Sequence, residues 1–248
     1  MLRAEAFSIR LAGKVIEVWA QFPETKVFCR EYLCGDDADF SVDITQEDIV
    51  REREKAARQD MKEFGKALQH SDPYLETLAL YRKIAGRLAE HQTLLVHGSA
   101  IAVDGQGYLF TAKSGTGKST HARLWRELLG ERAMMINDDK PLITVDEKGV
   151  FIHGTPWCGK HGLQTNLSAP LRAICILERG AKDTIEPVSS GAALPVLLQQ
   201  TYRPGDMMQL GQVLTTVGML AQSVKLYHLH CTMNLEAAQV AYAAMAQN

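Results

Sequence analysis

Hydrophobic and polar residues alternate through the first 43 residues of the chain. Phe7, Ile9 and Leu11 occupy every second position before a glycine turn, and the alternation resumes after it, which predicts a β-hairpin. A further strand is predicted over residues 40–44. Residues 47–63 are mostly charged, and their thin apolar stripe at helical spacing predicts one exposed helix. The chain therefore begins with a small region of strands followed by a helix.

Short apolar runs and helical patterns alternate in the rest of the chain. Asp72-Pro73 is a typical helix start, and the apolar spacing that follows predicts a helix ending near Glu90. Strands are predicted over residues 93–96, 99–103, 108–112, 133–136, 142–145, 150–153, 173–177 and 224–230, and helices over 120–129 and 235–246. This order is typical of the α/β class, with a small β-plus-helix region at 1–92 and a larger domain at 93–248.

The strongest motif is the run AKSGTGKST at residues 112–120, between an apolar strand and an amphipathic helix. In this setting, backbone N–H groups can bind phosphate at the positive end of a helix. Gly115 and Gly117 allow backbone conformations that a Cβ disfavours. Lys118 is expected to reach the outer phosphates and Ser119 to bind Mg²⁺. The alternative is a glycine-rich turn that matches the motif by chance. Nucleotide binding is predicted for Ser114, Gly115, Thr116, Gly117, Lys118, Ser119 and Thr120.

Two adjacent acids, Asp138 and Asp139, end an apolar strand about twenty residues beyond this loop, where a metal-organising carboxylate is expected. One acid can hold Mg²⁺ while the other accepts a proton from an attacking hydroxyl. Which acid has which role stays open, although Asp138 is placed with Ser119 as the predicted metal pair. The alternative is a solvated turn at the end of a strand. The pair indicates transfer to an acceptor in preference to hydrolysis.

Charge and cysteine content narrow the class of protein. Lys and Arg total 27 against 29 Asp and Glu, a formal net charge of -2, so a nucleic-acid partner is not expected. The five cysteines form no CxxC pair, which favours a reducing cytoplasm. An apolar run of the roughly 18 residues that a membrane helix needs is absent from the sequence, so no membrane partner is expected. An NKxD element is also absent, which argues against a GTPase.

Residues 93–177 resemble the catalytic domain of HPr kinase/phosphorylase, and the AKSGTGKST run is similar to the phosphate loop of ATP-dependent phosphoenolpyruvate carboxykinase. The shared features are His97-Gly98, the phosphate loop and the acidic pair, in that order. The resemblance implies the phosphoenolpyruvate carboxykinase/HPr kinase-like fold, a P-loop domain with a mixed sheet. It also implies that His97 lies near the transferred phosphate and that one acid is the base in phosphorylation of a serine hydroxyl. Without the resemblance, His97 has the alternative of a structural histidine at a strand end.

A later loop is similar to one found in small relatives of HPr kinase, and it is interpreted as the acceptor side. In this loop Gly159 precedes Lys160 and His161, which can present positive charge to an anionic centre. An ordinary surface loop is the equally weighted alternative. HPr itself is not the expected acceptor, because His153-Gly154 stands where full HPr kinases carry Arg-Gly.

Taken together, these features predict ATP- and Mg²⁺-dependent transfer of the γ-phosphate to a hydroxyl acceptor. The predicted catalytic residues are Lys118, Asp138, Asp139 and His97, within a catalytic domain over residues 93–248. Two alternatives stay open: a nucleotide-binding regulatory module without transfer, and a carboxykinase-like enzyme acting on a carboxylic substrate. A homo-oligomer is compatible with the sequence.

A second histidine pattern, His228-x-His230, occurs in the last predicted strand. Residues two apart on a strand share a face, but a metal would need further ligands, and the sequence identifies none. The favoured interpretation is therefore a pair of core or edge histidines.

Overall fold

The computed structural model describes residues 5–247, except for the side chain of Lys160. The chain forms two compact units, the first ending at Ala85 and the second beginning at Gly86. Each unit combines a β-sheet with helices, so the α/β class is confirmed. Among the described residues, no helix has both the length and the apolar character needed to cross a membrane.

The first unit contains a four-stranded sheet in the order β3-β1-β2-β4. The predicted hairpin is confirmed, with its tight turn at Ala12-Gly13, where both residues have positive φ. A short helix, α1, and a two-residue strand, β3, are additions to the predicted elements. The elements are β1 (Phe7–Leu11), β2 (Lys14–Trp19), α1 (Pro23–Phe28), β3 (Leu33–Cys34), β4 (Phe40–Asp43), α2 (Gln46–Phe64) and α3 (Asp72–Ala89), of which residues 86–89 fall in the second unit.

Helix α2 is confirmed as a largely exposed helix, but three of its carboxylates, Asp48, Glu52 and Asp60, are buried. Thr45 caps its first turn in a reciprocal capping box with Asp48. Asp48 also accepts a hydrogen bond from Lys83 of α3 at 2.5 Å, and the buried Glu52 pairs with Arg82 at 2.9 Å. Charged residues can therefore lie on a buried helix face here, because each carboxylate has a cationic partner.

The second unit is built on a nine-stranded mixed sheet. The elements are β5 (Thr93–Leu95), β6 (Ser99–Val103), β7 (Gln106–Thr111), α4 (Lys118–Leu129), β8 (Ala133–Asn137), β9 (Leu142–Asp146), β10 (Gly149–His153), β11 (Ser168–Arg179), β12 (Thr184–Pro187), α5 (Ser190–Gln200), α6 (Met207–Ser223), β13 (Lys225–Cys231) and α7 (Leu235–Met245). The main path of the sheet runs β5-β9-β10-β11-β7-β6-β8, and β13 pairs with both β11 and β12.

Strand β11 organises this sheet and is much longer than the predicted residues 173–177. Its first residues pair with β10 in antiparallel orientation, while its remainder runs parallel to β7 and β13. The apolar run marks only the buried middle of the strand, which is why the sequence underestimates its length. Because β7, β11 and β13 are parallel neighbours, their carboxyl ends meet at one edge of the sheet.

Both faces of this sheet are covered by helices. Ala100 and Ala102 of β6 belong to the core formed with α5 and α6, while Ile101 and Val103 belong to the core formed with α4 and α7. Trp125 of α4 is fully buried in the second core. Successive side chains of a strand point to opposite faces of the sheet, so alternate residues of β6 belong to different cores.

Two histidines are buried as neutral groups in the second unit. Burial lowers the pKa of both His121 and His153 from the ordinary 6.5 to about 4. His121 Nε2 accepts a hydrogen bond from Trp125 Nε1 at 3.0 Å, and His153 Nδ1 lies 2.7 Å from Ser168 Oγ. The remaining ring nitrogen of each histidine is buried and makes no hydrogen bond to any described residue. Protonation of either ring therefore opposes folding.

We expect the stability of the protein to fall as the pH drops from about 6.5 towards about 4. The unfolded chain, whose histidines have an ordinary pKa, binds more protons than the folded chain in this interval. His153→Asn should reduce the proton uptake on unfolding near pH 5 by about one. Urea unfolding at a series of pH values measures this uptake. His161→Asn, at an exposed histidine, is the control, and an equal effect of both changes would contradict the assignment.

Candidate functional site

The phosphate loop lies between β7, which ends at Thr111, and α4, which begins at Lys118. Gly115 has a φ of +78° and Gly117 a φ of +120°, a region that L side chains rarely adopt. The structure thus gives the physical reason for both glycines of the motif. With α4 starting immediately after them, the loop N–H groups lie at the positive end of a helix.

Lys118 is a buried cation within this loop. Its ammonium donates hydrogen bonds to the carbonyl oxygens of Ala112 at 3.1 Å and Lys113 at 3.5 Å. Burial lowers the pKa of Lys118, and the nearby carboxylates of Asp139 and Asp138 oppose this shift. The lysine therefore closes the loop and brings positive charge towards the acidic pair.

Arg179, at the end of β11, is a second cation on the loop. Its guanidinium donates hydrogen bonds to the carbonyl oxygens of Gly115 at 2.6 Å and Thr116 at 3.2 Å. Sequence reasoning missed this residue, because its contact depends on the pairing of β11 with β7. A basic residue two positions after a predicted apolar strand was the available signal.

The structure brings Ser119 and Asp138 to one cavity of about 270 Å³ at the amino terminus of α4. Asp138 is buried, and one of its carboxylate oxygens accepts a hydrogen bond of 2.6 Å from the hydroxyl of Ser99. A serine hydroxyl and a fixed carboxylate are oxygen ligands of the kind that Mg²⁺ prefers. The residues around this cavity therefore fit a magnesium ion.

Asp139, the second acid of the pair, lies beside His97. The carboxylate of Asp139 lies 3.6 Å from His97 Nε2 and 2.9 Å from the ammonium of Lys140. Burial, together with the charges of Lys140 and Lys118, lowers the pKa of His97 to about 4. Gln200 Oε1 lies 3.0 Å from His97 Nδ1, which favours a proton on Nδ1. At neutral pH, His97 is thus a neutral imidazole with Nε2 turned towards Asp139.

The turn that carries both acids is held by the buried Asn137, another residue that sequence reasoning missed. Its side-chain oxygen accepts hydrogen bonds from the backbone N–H groups of Asp139 at 2.9 Å and Lys140 at 2.7 Å. Its amide nitrogen donates to the carbonyl oxygen of Thr155 at 2.9 Å. Asn137 therefore acts as a positioning residue that fixes the direction of the two carboxylates. An asparagine directly before an acidic pair was the only signal.

The loop predicted as the acceptor side also reaches this region. A Cβ on Gly159 would lie only 3.2 Å from Asp139 Cβ, so a glycine allows the two segments to approach. His161 lines the same cavity as Ser119 and Asp138. The side chain of Lys160 lies outside the described part of the structure, so its role stays a prediction.

Two cavities flank the phosphate loop. The smaller one is also lined by Thr120 and by two cations of α4, Arg123 and Arg126, neither of which was predicted. The larger, of about 730 Å³, is lined by residues 112–116 of the loop, by Glu178 and Arg179 of β11 and by His228 of β13. The predicted loop residues Ser114, Gly115 and Thr116 thus face one opening, and Ser119 and Thr120 face the other.

A protein-family model described as SynChlorMet cassette protein ScmC matches residues 74–236. The chain belongs to the ScmC family. The match includes the phosphate loop, the acidic pair and the acceptor-side loop of this ScmC chain. No curated protein matches it. Among solved structures, the Hpr(Ser) kinase/phosphatase from Coxiella burnetii is similar over 60% of this ScmC chain and 95% of that chain, with 8% identity and a TM-score of 0.35. Similarity at that level does not transfer a fold or an activity to the ScmC protein.

We expect this loop to bind ATP and Arg179→Lys to weaken that binding by about tenfold, because a lysine lacks the planar fork by which two guanidinium nitrogens reach the two loop carbonyls. The affinity is measured by calorimetry. Arg172→Lys is the matched control, since Arg172 lies on the same strand but donates to carbonyl oxygens at the end of α7, such as Met245 O. Equal losses in the two variants would mean that Arg179 supports the fold and not the loop.

Proposed function

We propose that this ScmC protein is an ATP- and Mg²⁺-dependent kinase that transfers the γ-phosphate to a hydroxyl group on a peptide, a protein or a small alcohol. In this proposal residues 93–248 form an HPr kinase-like catalytic domain and residues 1–92 an accessory region. The observation that carries the proposal is that Ser119, Asp138 and His161 line one cavity beside the phosphate loop. The proposed metal ligands and a residue of the proposed acceptor-side loop therefore line one opening.

Ser119 and Asp138 are the proposed Mg²⁺ ligands. Bound there, the ion would neutralise charge on the phosphate oxygens as the phosphoryl group moves. The hydrogen bond from Ser99 holds the Asp138 carboxylate in place, so little reorientation is needed on binding. Lys118 adds a positive charge to the same group of oxygens.

Asp139 is the proposed proton acceptor. In the reaction, the acceptor oxygen forms a bond to the γ-phosphorus while the bond from that phosphorus to the bridging oxygen of ADP breaks. The hydroxyl proton passes to Asp139, whose carboxylate pairs with Lys140 and whose backbone N–H donates to the side-chain oxygen of Asn137. His97, as a neutral imidazole, lies beside Asp139 near the transferred phosphate.

We expect Asp138→Asn and Asp139→Asn each to lower phosphoryl transfer by at least about a hundredfold while ATP binding persists. Raising the Mg²⁺ concentration should partly restore Asp138→Asn and leave Asp139→Asn unchanged, because only the first change removes a metal ligand. Transfer of label from ATP to proteins and small molecules of a cell extract measures the rate. Asp146→Asn, at an exposed acid at the end of β9, is the control and should keep the wild-type rate.

Each alternative predicts a different result in the same assay. Wild-type protein that binds ATP but labels nothing would support a nucleotide-binding regulatory module. Transfer that requires a carboxylic substrate would support the carboxykinase-like alternative. Lys118→Ala should abolish transfer, and normal turnover in that variant would contradict the kinase proposal.

The cations around the smaller cavity favour an acceptor that carries negative charge. Arg126 lines this cavity, as does Arg123, which also pairs with Glu127 at 3.3 Å. The phosphate loop already supplies Lys118 to the nucleotide, so these further cations are available for the acceptor. Acidic residues beside the phosphorylated serine would satisfy them.

We expect Arg126→Ala to raise the KM for a serine peptide with acidic flanking residues by about tenfold and to leave ATP affinity unchanged. The same peptide with uncharged flanking residues should be a poorer substrate, and Arg126→Ala should not affect it. Lys160→Ala should act in the same direction if that residue also contacts the acceptor. Arg132→Ala is the control, because Arg132 pairs with Asp104. Equal use of both peptides by the wild type would contradict an anionic acceptor.

A further inference from the structure

Glu178, His228 and His230 form a polar cluster on one face of the second sheet. Glu178 of β11 is the direct partner of His230 across the parallel pairing with β13, and His228 lies two residues earlier on β13. All three side chains therefore project to the same side of the sheet. The two histidines are close in sequence, and the fold brings the carboxylate of Glu178 to them.

The ligand atoms of this cluster are close enough to share one ion. One atom from each residue lies within 4.8 Å of the other two, and Glu178 Oε2 is 3.1 Å from His228 Nε2. The rings of His228 and His230 have centroids 4.5 Å apart. Two ligands at about 2.1 Å from a tetrahedral metal lie about 3.4 Å from each other, so small side-chain rotations suffice.

The cluster also lies where α/β sheets bind ligands. Strands β7, β11 and β13 are parallel, and the phosphate loop, Glu178 and His230 all lie at or near their carboxyl ends. Glu178 and His228 line the cavity of about 730 Å³ together with the phosphate loop. Arg179, the nearest cation along the strand, donates to the loop carbonyls, so its charge is directed away from Glu178.

We propose that Glu178, His228 and His230 bind a divalent transition-metal ion at the wall of this cavity. The proposed ion is Zn²⁺. Two imidazoles and one carboxylate form a donor set that zinc accepts, and they leave a further coordination position for water or another ligand. This site is distinct from the Ser119 and Asp138 pair, whose oxygen ligands suit Mg²⁺. The zinc site does not depend on the proposed kinase activity, because it requires no nucleotide.

The test is titration of the full chain, free of affinity tags and stripped with a chelator, with Zn²⁺ in the presence of saturating Mg²⁺. We expect one Zn²⁺ per chain, bound more tightly than about 10 micromolar. Glu178→Gln, His228→Ala and His230→Ala should each weaken Zn²⁺ binding by at least about tenfold. Co²⁺ in place of Zn²⁺ should give visible absorption bands that disappear in the same variants.

His70→Ala is the matched control, because His70 also lies 3.0 Å from a carboxylate, that of Asp60. Among the described residues, this pair belongs to no group of three potential metal ligands. It should leave Zn²⁺ binding unchanged. Circular dichroism confirms that each variant is folded, and Glu178→Gln, at an exposed side chain, keeps the test valid if a histidine variant unfolds. The proposal is overturned if the folded wild type binds no Zn²⁺, or if the variants bind it as tightly as the wild type.

Discussion

The phosphate loop has to present backbone N–H groups to an anion although it connects a buried strand to a half-buried helix. A loop also carries carbonyl oxygens, which repel an anion. In this protein Lys118 and Arg179 donate to the carbonyl oxygens of four loop residues, Ala112, Lys113, Gly115 and Thr116. These hydrogen bonds direct the carbonyl oxygens to cationic side chains, so less of their negative charge faces an anion bound by the N–H groups. The chemistry proposed for the neighbouring residues depends on this arrangement.

The parallel centre of the second sheet gives the loop its neighbours. β11 lies between β7 and β13, so the residues at its carboxyl end come next to the loop on one side and next to β13 on the other. Arg179 contacts the loop, while Glu178 faces the histidines of β13. Arg179 and Glu178 are adjacent in sequence but contact different parts of the protein, because successive side chains of a strand point to opposite faces.

The two acids of the Asp138-Asp139 pair are adjacent in sequence but lie in different electrostatic environments. Asp138 is buried beside a neutral hydroxyl donor, whereas Asp139 lies among a lysine and a neutral histidine. Asn137 maintains this difference by bonding the backbone of the turn. Because the environments differ, the two carboxylates suit the different roles proposed for them, one as a metal ligand and the other as a proton acceptor.

Local sequence determined those features of this protein that depend on periodicity and on short motifs. The hairpin of the first unit, the helices α2 and α3, the strand, loop and helix around residues 112–120 and the acidic pair all follow from residues that are near one another in the chain. Their physical basis is local: glycine tolerates positive φ, capping residues satisfy the first turn of a helix, and a period of two or 3.6 places apolar side chains on one face.

Tertiary structure alone decided which distant residues meet. The contact of Arg179 with the loop and the joining of Glu178 to His228 and His230 depend on strand register, and many registers are compatible with the same apolar pattern. The full length of β11 and the burial of charged residues on α2 likewise depend on partners far along the chain. Sequence therefore identified the loop, its lysine and its acids, whereas the packing of parallel strands brought Arg179 to the loop and Glu178 to the two histidines.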